Sequence, residues 1–212
     1  MGCCGAKGCD EFFNEKVARR DAGRYRKKGL TGPARRIVDH LRSRGIAGTT
    51  VLEVGAGVGS LSLELLKAGA SRATGIELSP AYEPYALELA REAAVEDRIE
   101  RRTLDFAEAA DEVAPAGVVV LNKVVCCYPD YERLVGAAAE RAGRSLVLTF
   151  PRDAWWTRFG VAAGNLVERL RRQSFRAYVH PPEAVLAVAE GRGLRRTAEH
   201  TGLIWLFVAL ER

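Results

Sequence analysis

The 212-residue chain has little that would take it into or across a membrane. No apolar run approaches the roughly 18 to 20 residues of a spanning helix, and the sequence does not open with a basic stretch followed by an apolar one. It starts Met-Gly-Cys-Cys, but position 6 is Ala6 rather than Ser or Thr, so the N-myristoylation pattern is not met. These absences exclude a helical membrane protein and predict a cytoplasmic one without a membrane partner. Cys-x-x-Cys spacing and paired histidines are also missing, so a zinc site of the usual kind is not expected. Nor is there an internal repeat or a long linker, and the length suits one α/β domain with a full core.

Five cysteines are present, Cys3, Cys4 and Cys9 in one group and Cys126 and Cys127 in another. In a reducing compartment structural disulfides are not expected. Cys3, Cys4 and Cys9 stand as candidate metal ligands in a tail that offers them no packing role. Cys126 and Cys127 have three possible uses: a thiolate metal site shared with the first group, contact with a soft substrate, or plain packing. Charge is uneven. The net charge is +5, but residues 1–50 hold twelve Lys/Arg against five acids, +7, which leaves −2 for the rest. Such a segment contacts an anionic substrate, a cofactor carboxylate or nucleic acid, or is simply a solvated helix face.

Periodicity gives the architecture. Residues 1–10 show none and read as a loose tail. Glu11 to Lys28 is polar and helix-friendly, with Phe12, Phe13, Val17 and Tyr25 as its large apolar anchors. Gly29 to Pro33 breaks it, and Thr31 then caps a helix running to about Arg44. From Thr50, short apolar runs alternate with helical stretches. Strands are expected at Thr50–Val54, Ala73–Glu77, Ile99–Thr103, Val118–Leu121 and Ser145–Phe150. Helices are expected at Ser60–Lys67, Pro80–Ala94, Tyr131–Ala142, Trp155–Arg172 and Pro182–Glu190. Leu194–His200 and Leu203–Leu210, joined by a Gly-containing turn, read as a hairpin. The expected fold is therefore α/β. It has a seven-stranded, mostly parallel sheet with helices on both faces, an antiparallel last strand and an N-terminal helical lid. Residues 1–49 form the Cys-containing tail and basic lid, and residues 50–212 the main domain.

Val51-Leu52-Glu53-Val54-Gly55-Ala56-Gly57-Val58-Gly59 runs from an apolar strand through three alternate glycines into a helix. Glycines there allow a tight turn and close backbone approach to a ligand, and the helix start presents free N–H groups. The dinucleotide fingerprint would place its third glycine at Ser60, so a nicotinamide enzyme ranks low. Glu77 ends the second strand, 22 residues after Gly55, where a carboxylate accepts from the hydroxyls of a ribose. Asp105 and Phe106 follow the third strand, placed to accept from an adenine amino group and to pack on its ring. Each has a plain alternative: Glu77 and Asp105 as helix-start acids, Phe106 as core. Their recurrence at successive strand ends favours a ligand, because open α/β sheets bind there.

On these motifs Thr50–Phe150 resembles the core of the class I S-adenosylmethionine-dependent methyltransferases, and the hairpin matches that family's reversed last strand. The resemblance covers about three-quarters of the chain. It implies that Gly55, Ala56, Gly57 and Gly59 bracket the methionine end of S-adenosylmethionine, with Glu53 reaching it. It further implies that Glu77 and Leu78 take the ribose, Asp105 and Phe106 the adenine, and that Asn122 and Lys123 line the cleft. The stretch Val125 to His180 is more loosely similar to the magnesium-protoporphyrin O-methyltransferases. That likeness rests on Tyr128-Pro129, Phe150-Pro151, Arg176 to His180, and Phe12-Phe13-Asn14; the cysteines depart from it.

The implied acceptor is a small or medium-sized molecule. After the fourth strand the sequence lacks the Asn/Asp-Pro-Pro-Tyr/Phe arrangement of amino-directed nucleic-acid methyltransferases. An RNA methyltransferase using the basic segment, and a non-enzymatic or metal-sensing module using the cysteines, stay as alternatives. Methyl transfer needs a base only if the nucleophile arrives protonated; Tyr128 and His180 are the candidates, with Asp130 behind them. Tyr25, Cys126, Cys127 and Trp155 are expected to line the substrate side. Trp155, Trp156 and Phe159 fall at helical spacing and suit either a roof for a flat apolar substrate or ordinary packing.

Overall fold

A computed structural model describes residues 6–212. Five segments become parallel strands: β1 (Thr50–Val54), β2 (Arg72–Glu77), β3 (Ile99–Thr103), β4 (Ala116–Asn122) and β5 (Ala142–Pro151). Two more, β6 (Arg195–Thr201) and β7 (Trp205–Glu211), form the hairpin. The sheet order is β3-β2-β1-β4-β5-β7-β6, and β7 runs antiparallel to both of its neighbours. Alternation decides which side chain goes where. Leu52, Val54, Val119, Leu121, Leu146 and Leu148 point to one buried layer. Val51, Val118, Val120 and Val147 point to the other. Both faces are covered at the centre of the sheet, which is why β1, β4, β5 and β7 are largely apolar, whereas the edge strands β3 and β6 are mostly polar.

On the first face lie α7 (Tyr131–Arg141) and α9 (Pro182–Glu190); α4 (Ser60–Lys67) and α5 (Glu83–Glu92) lie on the second. The short α6 (Phe106–Ala109) follows β3, and α8 (Trp155–Leu170) follows β5. The N-terminal segment forms α1 (Ala6–Phe12), α2 (Glu15–Lys28) and α3 (Gly32–Ser43). Strand order reverses at β1, which has β2 on one side and β4 on the other. That switch point leaves a crevice at the carboxyl ends of the strands.

Several boundaries differ from expectation. Ala6–Phe12 is helical rather than part of a loose tail, and the polar stretch from Glu11 is two helices, not one. The break falls at Asn14, whose side chain accepts from the N–H groups of Lys16 and Val17 and caps α2. Thr31 holds the N-cap position of α3 without a side-chain bond. The helix expected from Pro80 begins with a 3₁₀ turn, Pro80–Tyr82, before α5. Cys3 and Cys4 lie outside the described residues.

Candidate active site

A cavity of about 330 Å³ occupies the switch-point crevice, within the range of small-molecule sites. The glycine loop forms its floor. The N–H groups of Gly55 and Ala56 both donate to the carbonyl of Ile76, at 2.8 and 3.0 Å, tying the loop to β2. Gly55 has φ +69°, and a Cβ there would lie 2.3 Å from Val124 Cγ2. The turn therefore needs glycine on both conformational and steric grounds. Gly59 does not line the cavity; it stands at the N-cap of α4 in the left-handed region and lets the chain turn into the helix. Beneath the loop, Arg101 donates from Nη2 to the Gly57 carbonyl at 2.9 Å and from Nε to Glu83 at 2.8 Å. Its side chain is buried. Sequence reasoning missed this clamp, and the one available signal was an arginine within β3, a short strand at the edge of the sheet.

Three carboxylates of the main domain face the cavity. Glu77 Oε1 accepts from the N–H groups of Leu78 and Ser79, at 2.8 and 3.0 Å, and Oε2 accepts from Gly57 at 2.8 Å. With about four acceptor positions on an ionised carboxylate, one on Oε2 stays available. Glu53 is buried, and its Oε2 accepts from both the backbone N–H and the hydroxyl of Ser62 (3.0 and 2.6 Å). Burial pushes its pKa up to about 7, against the Ser62 bonds, which lower it. Asp105 caps α6 through Ala107 at 3.0 Å and accepts the Tyr128 hydroxyl on both oxygens at 3.2 Å. Phe106, beside it, is buried in the first core layer and also walls the cavity.

At the end of β4, Asn122 and Lys123 complete the wall. Thr149 donates to Asn122 Oδ1 at 2.8 Å and fixes the amide. Lys123 sits at φ +63°, an uncommon backbone for a residue with a side chain. Its N–H is held by Thr149, and its ammonium lies 4.9 Å from the Trp205 ring centre. Burial, with Arg24 adding to it, pushes the Lys123 pKa below its ordinary value.

Val125–Cys127 is a 3₁₀ turn. The two thiols lie 3.8 Å apart and both approach the Lys123 carbonyl. Cys127 faces the cavity, whereas Cys126 is buried behind it. Their shared hydrogen bond pushes the Cys126 pKa down and the Cys127 pKa up.

The two candidate bases are placed differently from each other. Tyr128 walls the cavity, but burial and the Asp105 charge push its pKa well above the usual phenol range. Its hydroxyl is a donor. His180 is not on the cavity wall. Its Nε2 lies 3.0 Å from the Tyr128 carbonyl and its ring sits between Tyr131 and Tyr178, with burial lowering its pKa. It pins the turn that carries Cys127 and Tyr128.

The N-terminal helices close the cavity. Tyr25 reaches it from α2 and donates to Glu64 on α4 at 2.6 Å. Asp21, Arg24, Cys9 and Phe13 join it on the wall. Phe12 stacks on Phe175 with centroids 4.3 Å apart, and the Ser79 hydroxyl donates to the Phe13 carbonyl at 2.7 Å, so α1 is docked from two sides. Much of the basic segment is engaged within the protein: Arg19 with Glu15, Arg26 with Glu88 and Glu92, Arg44 with Glu211. Trp155 is 75% exposed and away from the cavity. Cys9 is buried in α1, and among the described residues no group of three His, Cys, Asp or Glu side chains is arranged to hold a metal ion.

The crevice thus gathers Glu53, Gly55, Ala56, Gly57, Glu77, Leu78, Asp105, Phe106, Asn122, Lys123, Tyr25, Cys127 and Tyr128, leaving out Gly59, Cys126, His180 and Trp155. No curated protein matches the sequence. Among solved structures, magnesium protoporphyrin IX methyltransferase from Synechocystis with bound SAH is similar, with TM-score 0.76 and 21% identity over 95% of this chain and 97% of that one. Geranyl diphosphate C-methyltransferase from Streptomyces coelicolor gives 0.66 and 16%, over 84% and 76%. An O-methyltransferase family 2 protein from Planctomyces limnophilus, in complex with apigenin, gives 0.67 and 20%, over 93% and 61%. The sequence profile of the methyltransferase domain family matches residues 23–204. With that match and this sheet order, the chain belongs to the methyltransferase domain family, as a class I, S-adenosylmethionine-dependent enzyme.

Proposed function

We propose that this enzyme binds S-adenosylmethionine on the Gly55–Gly59 loop, with Glu77 on the ribose and Asp105 beside the adenine, and methylates a small or medium-sized molecule carrying an anionic group. The observation that carries the reading is that carboxylates from two successive strand ends, Glu77 and Asp105, meet the glycine loop around one cavity. The donor set fits the cofactor: carboxylates for hydroxyl and amino donors, apolar walls at Leu78 and Phe106, and Glu53 and Asn122 toward the other end. Bound there, the cofactor supplies an electrophilic methyl group on a sulfonium centre.

The protein's own part is positioning and exclusion of water. Glu53, titrating near neutrality, offers negative charge above pH 7. Asn122 is held by Thr149, and Tyr128 stays protonated and braces Asp105. His180 holds the turn behind Tyr128. With both candidate bases occupied in this way, the reading favours an acceptor that arrives ionised and needs no protein base. Arg24, which pairs with Asp21 at 3.6 Å, and Lys123 line the same cavity, and these two cations give an anionic acceptor group a place to bind. The similar enzymes named for magnesium protoporphyrin IX and geranyl diphosphate support a small-molecule acceptor. A cytoplasmic, reducing setting suits adjacent thiols at Cys126 and Cys127 that are not joined.

Calorimetric titration with S-adenosylhomocysteine, on the wild type and on Glu77→Ala, tests the cofactor site. Micromolar-range binding, weakened in the variant by roughly 1.5–3 kcal/mol as for charge-assisted hydrogen bonds, is the expected result. Wild-type protein that does not bind would overturn the reading.

A further inference from the structure

Helix α8 is turned inside out. Of its sixteen residues only Thr157 is buried. The side facing the protein carries Thr157, Val161, Asn165 and Glu168, at positions i, i+4, i+8 and i+11. Asn165 is bonded in both directions to the backbone of Ala177, and the Glu168 side chain is 12% exposed. The opposite side carries Trp155, Phe159, Leu166 and Leu170, exposed at 75, 71, 57 and 77%. An ordinary surface helix puts its apolar stripe on the core; this one presents it outward.

The patch extends beyond the helix. Trp156 donates from its indole N–H to the Leu203 carbonyl at 3.0 Å, and Arg152 donates to the Ile204 carbonyl at 2.8 Å. Leu203 and Ile204, in the β6–β7 turn, are themselves exposed. Among the described residues, eight of the nine exposed large apolar side chains lie on α8 and this turn. Concentration of that kind marks an interaction surface.

We propose that this face docks on an anionic lipid bilayer, with α8 lying in the plane of the interface. Charge argues for that occupant. Residues 152–176 carry six arginines, Arg152, Arg158, Arg169, Arg171, Arg172 and Arg176, against Asp153 and Glu168. Aromatic and aliphatic side chains flanked by arginine are what an interfacial helix uses, with binding set by buried apolar area and attraction to anionic headgroups. A second copy is the poorer partner, because a two-fold contact sets the face against itself and brings the arginine excess together. An in-plane helix needs no spanning length, so the shortness of every apolar run does not bear on it. Through Trp205, next to the turn and under the Lys123 ammonium, the docked face adjoins the cavity wall. An acceptor dissolved in the bilayer would be presented on the side where the cavity lies.

Vesicle co-sedimentation tests this, and its readout does not depend on methyl transfer. The full chain is mixed with phosphatidylcholine vesicles and with vesicles containing 30% phosphatidylglycerol. The variants are Trp155→Ser/Phe159→Ser/Leu170→Ser and Arg169→Glu/Arg172→Glu, each checked for wild-type circular dichroism and sedimentation velocity. Binding at least tenfold tighter to the anionic vesicles, weakened in 0.5 M salt and reduced at least tenfold in both variants, is expected. No binding to anionic vesicles at low salt would overturn the proposal, as would a wild-type dimer that the serine variant dissociates.

Discussion

At the residue scale, Glu53 is the side chain whose environment most changes its chemistry. Its carboxyl is buried and pushed up to about 7 from an ordinary 4.5. A raised carboxyl pKa means that the native state holds a proton the unfolded chain has released between those values. Stability therefore falls as pH rises from about 4.5 to 7 and stays lower above. Glu53→Gln keeps an oxygen for Ser62 and removes the buried charge, so at pH 8 it is expected to stabilise the protein by up to about 3 kcal/mol. Thermal unfolding from pH 5 to 8 should show the gap between variant and wild type opening across that window; a constant gap would contradict the assignment. Gly55 gives a steric prediction. Gly55→Ala puts a methyl 2.3 Å from Val124 Cγ2 at a positive φ, and overpacking of this kind costs about 1–3 kcal/mol. Val124→Ala should recover part of that loss in a double-mutant cycle by urea unfolding, since the clash is between those two groups.

At the element scale, the lid depends on capping as much as on packing. Asn14 Oδ1 accepts from the N–H groups of Lys16 and Val17 at 3.1 and 3.4 Å, and Val17 also donates to the Asn14 carbonyl at 3.0 Å. Asn14→Ala should cost about 1 kcal/mol. That corresponds to about 2–4 °C in a chain of this size, with faster hydrogen exchange confined to the first turns of α2. Exchange unchanged there would mean the cap does not hold the helix. The break at Asn14 was missed in the sequence because helix-forming residues lie on both sides and the capping geometry depends on the turn at Phe13. Every strand was located from the sequence, but β4 and β5 begin two and three residues earlier than read and β7 two residues later, because strand ends are set by pairing with neighbours rather than by local pattern. The 3₁₀ turn at Val125–Cys127 was not legible in the sequence, because nothing in those residues announces that His180 bonds the Tyr128 carbonyl at its end, 52 residues away.

At the scale of the whole molecule, the N-terminal helices and the sheet share one core. Ile37, Val38 and Leu41 of α3 and Ala18 and Ala22 of α2 are buried in the same layer as Val51, Leu61 and Val118. The composition change near residue 49 therefore marks where charge shifts, not where packing ends. Removal of residues 1–49 should expose that layer and abolish cooperative unfolding by calorimetry. A truncated 50–212 fragment that stays soluble and melts in one sharp transition would show the lid to be dispensable for folding.

The glycine loop, Glu77 and Asp105 were legible in the amino-acid sequence because each is a local signal tied to a strand end, and strand ends converge wherever a parallel sheet forms. The alternation of strand and helix determined the class of fold for the same reason. Tertiary structure alone decided the rest: that Arg101 lies under the loop, that Tyr128 donates to Asp105, that Cys9 reaches the wall from the lid, and that His180 and Trp155 do not reach it. Those outcomes depend on contacts between residues far apart in the chain. It also decided that α8 faces outward, since periodicity identifies an apolar stripe without specifying what covers it.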